Sequence, residues 1–317
     1  MKLYIILLTL ILSTAVILAD KPPVLQRFEY SEVEMGVRAR IVVYAASREY
    51  AEKGCRSAFD RINILENVMS DYRPDSELMK LSSKAGTGPV KVSDDLLRVL
   101  RISQDLSKRS DGAFDITVGP VVKLWRKARK SGALPPQAEL DAAQKLVGWR
   151  KIVIDGKRST VALETPGMQL DLGGIAKGYA CQEAIKSLRR KGIGRALVEM
   201  GGDIVVSGPP PGKKGWAIEN ENAHNAADKL LILHDCAVSS SGDVEQFVEI
   251  GGKRYSHIVD PKTGVGLTSR TAVTIIAPSG DLSDGLSTAL CVLGEKKGRA
   301  LLRDYPRVRA WYSLAHD

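Results

Sequence analysis

The chain has 317 residues, of which 44% are hydrophobic and 26% charged, the balance of a globular protein large enough to bury a real core. That excludes a disordered chain, a fibre and a multi-span membrane protein. Aromatics at 5% leave little material for a base-stacking surface, and the net charge of +9 tilts the surface mildly towards anionic ligands, with no Lys/Arg run dense enough for nucleic acid.

At the N-terminus, Met1-Lys2 precedes an unbroken run of apolar and small residues from Leu3 to Ala19, followed by Asp20-Lys21-Pro22-Pro23. A basic start, an apolar core and a small final residue make a secretory signal cleaved after Ala19. The run also reaches the lower limit of about 17 residues for a membrane span, so an uncleaved anchor is the alternative. No cysteine follows it, which argues against a lipoprotein. Either way the globular part is expected to be exported, periplasmic or held at the outer face of the inner membrane. Residues 20–33 read as a linker and 34–317 as one unit, because no repeat or low-complexity stretch divides them.

Residues 39–44 read as a strand, and 48–70 as a helix ending near Ser70-Asp71-Tyr72-Arg73-Pro74, on helical spacing of the apolar positions. Ser93 caps a second helix that runs to about Arg109, with Asp94 and Asp95 in its first turn. A third helix is short, over 137–147. Residues 153–163 form a hairpin on an Asp155-Gly156 turn. A helix spans 175–191, and 195–208 is strand-like. Pro209 to Gly215 make an exposed turn. Strand-like segments follow at 216–220, 229–235, 237–242, 245–260 and 270–277, then a helix over 283–294 and a last strand over 307–314. This alternation predicts an α+β fold with mixed or antiparallel sheets covered by helices. Cys55, Cys181, Cys236 and Cys291 are far apart and show no metal or CxxC spacing, so buried free thiols are expected.

Four features carry chemistry. Asp171-Leu172-Gly173-Gly174-Ile175-Ala176-Lys177-Gly178 follows a strand and opens a helix. Its spacing fits neither the dinucleotide fingerprint nor the P-loop, which leaves a phosphate cradle at a helix start or a plain tight turn. Asp284 and Thr288, four apart, share a helix face behind Ser283, read as the cap. Together they offer hard oxygen ligands suited to magnesium, although an Asp in a first turn and a packed Thr are equally ordinary. His257, in a Tyr255-to-Gly264 segment turned by Pro261 and Gly264, is either structural or a base for a hydroxyl nucleophile. No GxSxG elbow accompanies it, which argues against a serine-hydrolase triad. Tyr72, in a loop after a helix, either stacks on a planar ligand or half-buries a helix end.

The blocks YRPDSEL, GAFDITVGP, DLGGIAKGY, GGD (201–203), SSGD (240–243), SHIVDPKTG and DGLSTALCVLG occur in this order. This succession resembles the ApbE family of FAD:protein FMN transferases, from about Glu34 to the end. The resemblance implies an ApbE-type, T-fold-like architecture and an enzyme that splits FAD at its pyrophosphate. FMN would pass, with Mg2+, to a threonine hydroxyl of an acceptor in a membrane redox complex, and AMP would be released. It further implies Asp284, Thr288 and the Ala176 carbonyl as metal ligands and His257 as the base. Tyr72 would stack on the flavin, and Met35, Gly36, Gly173 and Gly174 would line the pocket. Lys177, Asp243 and Asp260 would complete the flavin site. Departures from the family pattern are Val37 after Met35-Gly36, Glu199-Met200 before the GGD block, Ser240 and Val244. Two alternatives share these residues: a magnesium-dependent FAD pyrophosphatase, and a periplasmic FAD-binding protein without chemistry.

Overall fold

A computed structural model describes residues 23–242 and 246–314. The expected leader and Asp243 lie outside the described residues. In chain order the elements are β1 (Gln26–Glu34), β2 (Val37–Ala45), α1 (Arg48–Met69), α2 (Glu77–Ser82), β3 (Val90–Lys91), α3 (Asp94–Arg109), α4 (Gly119–Ser131) and α5 (Gln137–Gln144). Then come β4 (Ile152–Asp155), β5 (Thr160–Leu163), α6 (Ala176–Arg190), β6 (Ala196–Met200), β7 (Asp203–Val206), β8 (Trp216–Glu219), β9 (Leu230–Leu233) and β10 (Cys236–Ser241). The chain ends with β11 (Phe247–Ile250), β12 (Lys253–Ser256), β13 (Thr271–Ala277), α7 (Gly280–Leu301) and β14 (Arg309–Leu314).

The frame is a seven-stranded sheet in the order β1-β2-β6-β7-β10-β13-β14, antiparallel at every step. Period-two alternation sorts its side chains. Ile41, Val43, Val198, Ala237, Val273 and Ile275 enter the main core beneath α1, α6 and α7. Val42, Leu197, Val206, Val238 and Ile276 face the other way and are covered by Trp216, Ile218, Leu231 and Leu233 of the β8–β9 hairpin. The α+β expectation holds, and the sheet is antiparallel. Cys55, Cys181 and Cys291 are buried and Cys236 is half-buried.

Elements that differ from expectation include an edge strand, a central helix and the start of the last helix. Residues 26–33, inside the expected linker, form with Glu34 the edge strand β1, paired along its whole length with β2. Helix α4 was not anticipated because Gly119-Pro120 resembles a turn. Pro is nevertheless welcome in a first helical turn, where its missing N–H has no partner to lose, and Gly132 closes the helix in the left-handed conformation at φ 68°. The third difference is at the last helix. Ser283 is not its cap: α7 begins at Gly280 behind Ser279, and the Ser283 hydroxyl, fully buried, donates to the Gly280 carbonyl at 3.0 Å.

A candidate flavin-nucleotide site

One end of the large sheet gathers the glycine-bearing turns. The β1–β2 connection is the two-residue turn Met35-Gly36, with φ 50° and 74°. Primed hairpin turns require positive φ at both positions, a strained setting for methionine. The Met35 N–H donates to Glu66 Oε2 at 3.3 Å. The neighbouring β6–β7 turn, Gly201-Gly202, lies against Val37 and accepts Ser240 N–H at the Gly202 carbonyl, at 3.1 Å.

At the same end α6 crosses α7. The crossing is close because Gly178 and Gly280 have no side chains: a Cβ on Gly178 would lie 2.1 Å from the Gly280 carbonyl oxygen and 2.6 Å from Asp284 Cβ. The short approach lets the Gly178 N–H donate to Asp284 Oδ2 at 2.9 Å. Asp284 is 3% exposed. Burial and the nearby Asp203 carboxylate push its carboxyl up to about 7, against the opposing pull of Lys177 and the Gly178 N–H. Lys177 bonds Asp203 through its Nζ at 2.6 Å. Burial works against its ammonium, but Asp203 and Asp284 outweigh that and hold its pKa above the ordinary value.

The glycine turn of the 171–178 block meets α7 at Thr288: a Cβ on Gly174 would sit 2.9 Å from Thr288 Oγ1 and 3.4 Å from Phe114. Asp284, Thr288 and Gly174 are thus brought together. Ala176 is buried as the first residue of α6, one step past Ile175, and the turn residue packed on Thr288 is Gly174. Serines brace the rear of α7, with Ser239 Oγ 2.8 Å from Ser283 Oγ and Ser241 Oγ 2.6 Å from Ser287 Oγ.

Among the described residues no group of three or more His, Cys, Asp and Glu side chains could hold a metal. The donor set is one carboxylate, one hydroxyl and backbone. That set suits magnesium, which keeps waters or substrate phosphates as its remaining ligands, and it does not suit a closed zinc cage. A carboxylate buried with only one hydrogen bond also fits a cation-binding role, because a bound cation would offset its desolvation.

Tyr72 is 73% exposed, and one face of its ring lies on the Arg126 guanidinium, 4.1 Å from Cζ to the ring centre. Arg126 also pairs with Asp71 and, at 3.0 Å, with Asp171, whose Oδ1 accepts the Gly173 N–H at 2.8 Å. Burial, then Asp71, raises the Asp171 carboxyl, with Arg126 opposing. Nothing in the sequence pattern marked Arg126; the apolar spacing Val121-Trp125-Ala128 and Gly132 were its only signals. Asp115, inside the GAFDITVGP block, accepts from Thr117 N–H at 2.8 Å, Thr117 Oγ1 at 2.7 Å and Trp149 N–H at 2.9 Å.

His257 follows β12, and its Nδ1 faces the Gln246 carbonyl at 3.0 Å. A carbonyl can only accept, so Nδ1 carries a proton there. No hydrogen bond joins His257 to Asp284 or Thr288. Asp260 shapes its loop, its Oδ1 accepting Lys262 N–H at 2.8 Å and its carbonyl accepting Gly264 N–H at 2.8 Å. The loop is fastened to α4 by Trp125 Nε1, which donates to the Gly264 carbonyl at 2.8 Å.

The architecture is that of flavin transferases. It superposes on the flavinyl transferase ApbE of Pseudomonas stutzeri with a TM-score of 0.82, at 30% identity over 92% of each chain. With the flavin transferase ApbE of Vibrio cholerae the TM-score is 0.79, at 29% identity over 92% of this chain and 95% of the other. The FAD:protein FMN transferase of Treponema pallidum is 35% identical over 305 residues, 90% of this chain and 84% of the relative. Residues 35–312 match the model of the ApbE family, and the chain belongs to that family.

Proposed function

We propose that the protein is an FAD:protein FMN transferase that moves FMN from FAD to a threonine hydroxyl of an acceptor protein and releases AMP, with Mg2+ held by Asp284 and Thr288. The observation that carries this reading is the Asp284 carboxylate, buried beside Thr288 and the Gly173-Gly174 turn within a chain of the ApbE family. Magnesium there would neutralise the diphosphate bridge and make its phosphorus a better electrophile. Asp284 is preset for this by the Gly178 N–H, and the Lys177–Asp203 pair sets the local charge. The Tyr72 ring offers one open face to a flat ring system, the other being occupied by Arg126. The threonine oxygen forms the new P–O bond, the bond bridging the two phosphates breaks, and AMP leaves with that electron pair. His257 would receive the threonine proton. Export of the chain, an outward-facing redox acceptor and the leader reading belong to the same proposal and rest on the sequence of residues 1–19.

The test is AMP release and acceptor mass, measured with FAD and Mg2+ in the presence and absence of a candidate acceptor flavoprotein. Acceptor-dependent AMP release with a gain of FMN mass is expected. AMP release at the same rate without acceptor would make the protein a pyrophosphatase, and FAD bound with no AMP released would make it a binding protein.

A further inference from the structure

Arg126 occupies a position that the proposed chemistry does not use, yet it touches two walls of the site. Its guanidinium carbon lies over one face of the exposed Tyr72 ring, 4.1 Å from the centroid. Its two terminal nitrogens reach Asp71, the residue before Tyr72, and Asp171, the residue that holds the Gly173 N–H. The side chain is only 20% exposed, and those of Asp71 and Asp171 11% and 8%. One cation therefore neutralises two largely buried carboxylates that would otherwise repel each other, and it supplies the rear support of an aromatic ring whose front is open. The preceding residue, Trp125, packs on Tyr255 with ring centres 5.0 Å apart and bonds the Gly264 carbonyl, so the same helix step also carries the loop of His257.

We infer that Arg126 is a positioning residue of the flavin site: by stacking behind Tyr72 it fixes the ring in the orientation that receives the isoalloxazine. The inference rests on the flavin-transferase reading above. Arginine suits the task because its planar fork can bridge two carboxylates and stack at the same time; a lysine keeps the charge and loses the plane.

The distinguishing variant is Arg126→Lys, which leaves a cation between Asp71 and Asp171 and so spares the fold. FAD and ADP affinities are measured for the full chain by flavin fluorescence quenching and calorimetry, with thermal unfolding as a control. FAD binding is expected to weaken by about tenfold, while ADP, which lacks the flavin, changes by less than about twofold. In a Tyr72→Leu background the same substitution is expected to alter FAD affinity by less than about twofold, because the ring through which Arg126 acts is gone. Equal losses for FAD and ADP, equal losses with and without Tyr72, or no loss at all would overturn the assignment. Should the unaltered protein bind neither FAD nor ADP, the flavin-transferase reading falls first and takes this inference with it.

Discussion

His257 and Asp284 are the two side chains on which transfer chemistry would depend, and each makes a separate forecast. His257→Ala removes the proton acceptor and no contact of the metal pair. Acceptor flavinylation, followed by mass shift, is expected to slow by about 10²–10⁴-fold while the FAD dissociation constant stays within about twofold. Unchanged transfer would remove His257 from the mechanism. Asp284 binds a cation only when ionised, and burial first, then Asp203, lifts its carboxyl to about 7 in the metal-free protein. Protons and Mg2+ therefore compete at that carboxylate. Apparent Mg2+ affinity is expected to fall roughly tenfold per pH unit below that value and to level off above it. Calorimetry in buffers of different ionisation heat should show a proton released at pH 6 and almost none at pH 8.5. Asp284→Asn is expected to abolish the pH dependence together with Mg2+ binding.

The α6–α7 crossing turns packing into chemistry. With Gly178 replaced by Ala, the new methyl meets the Gly280 carbonyl at 2.1 Å, and backbone has to move. We expect about 3 kcal/mol of lost stability in urea unfolding and weaker Mg2+ binding, since the displaced N–H no longer holds Asp284 Oδ2; an unaltered Mg2+ affinity would show that the crossing does not set the carboxylate. At this scale much was legible beforehand. The helix expected over 48–70 is α1, Arg48–Met69, and the one opened by Ser93 runs to Arg109, because capping residues and apolar spacing agree there. Asp284 and Thr288 fall on one face, as their separation requires. What escaped notice was tertiary. Arg126 gains its meaning from Asp71 and Asp171, 55 and 45 residues away, and no local pattern encodes such a meeting. Strand β1 signals itself weakly because its residues are largely polar and Val33 falls out of phase with Phe28 and Tyr30.

The whole molecule is tied behind the site by a second charge network. Arg61 of α1 bonds Asp95 of α3 at 2.7 and 2.5 Å and Glu183 of α6 at 2.9 Å, and Tyr179 adds a bond to Asp95 at 3.0 Å. The Arg61 bond lowers the Asp95 carboxyl below its ordinary 3.8. A depressed carboxyl stabilises the folded state above its unfolded value, and that contribution disappears as pH falls through the lower folded value. Arg61→Met leaves Asp95 without its bonded cation and Glu183 with Lys186 alone, and is expected to lose about 3 kcal/mol at pH 7. The difference from the unaltered protein should narrow as the pH is lowered from 7 past the ordinary carboxylate value of 3.8 and Asp95 protonates in the folded state. A difference that stayed constant over that whole range would show that Arg61 acts by packing alone. Strand β1 has a consequence on the same scale. It begins at Gln26 and ends at the Met35-Gly36 turn, nine residues that at about 3.3 Å each set its start roughly 30 Å away. Strand β1 therefore starts at the pole opposite the proposed flavin site. A chain tethered by its N-terminus to a surface would hold that site outward, free to meet a large macromolecule without the tether in the way.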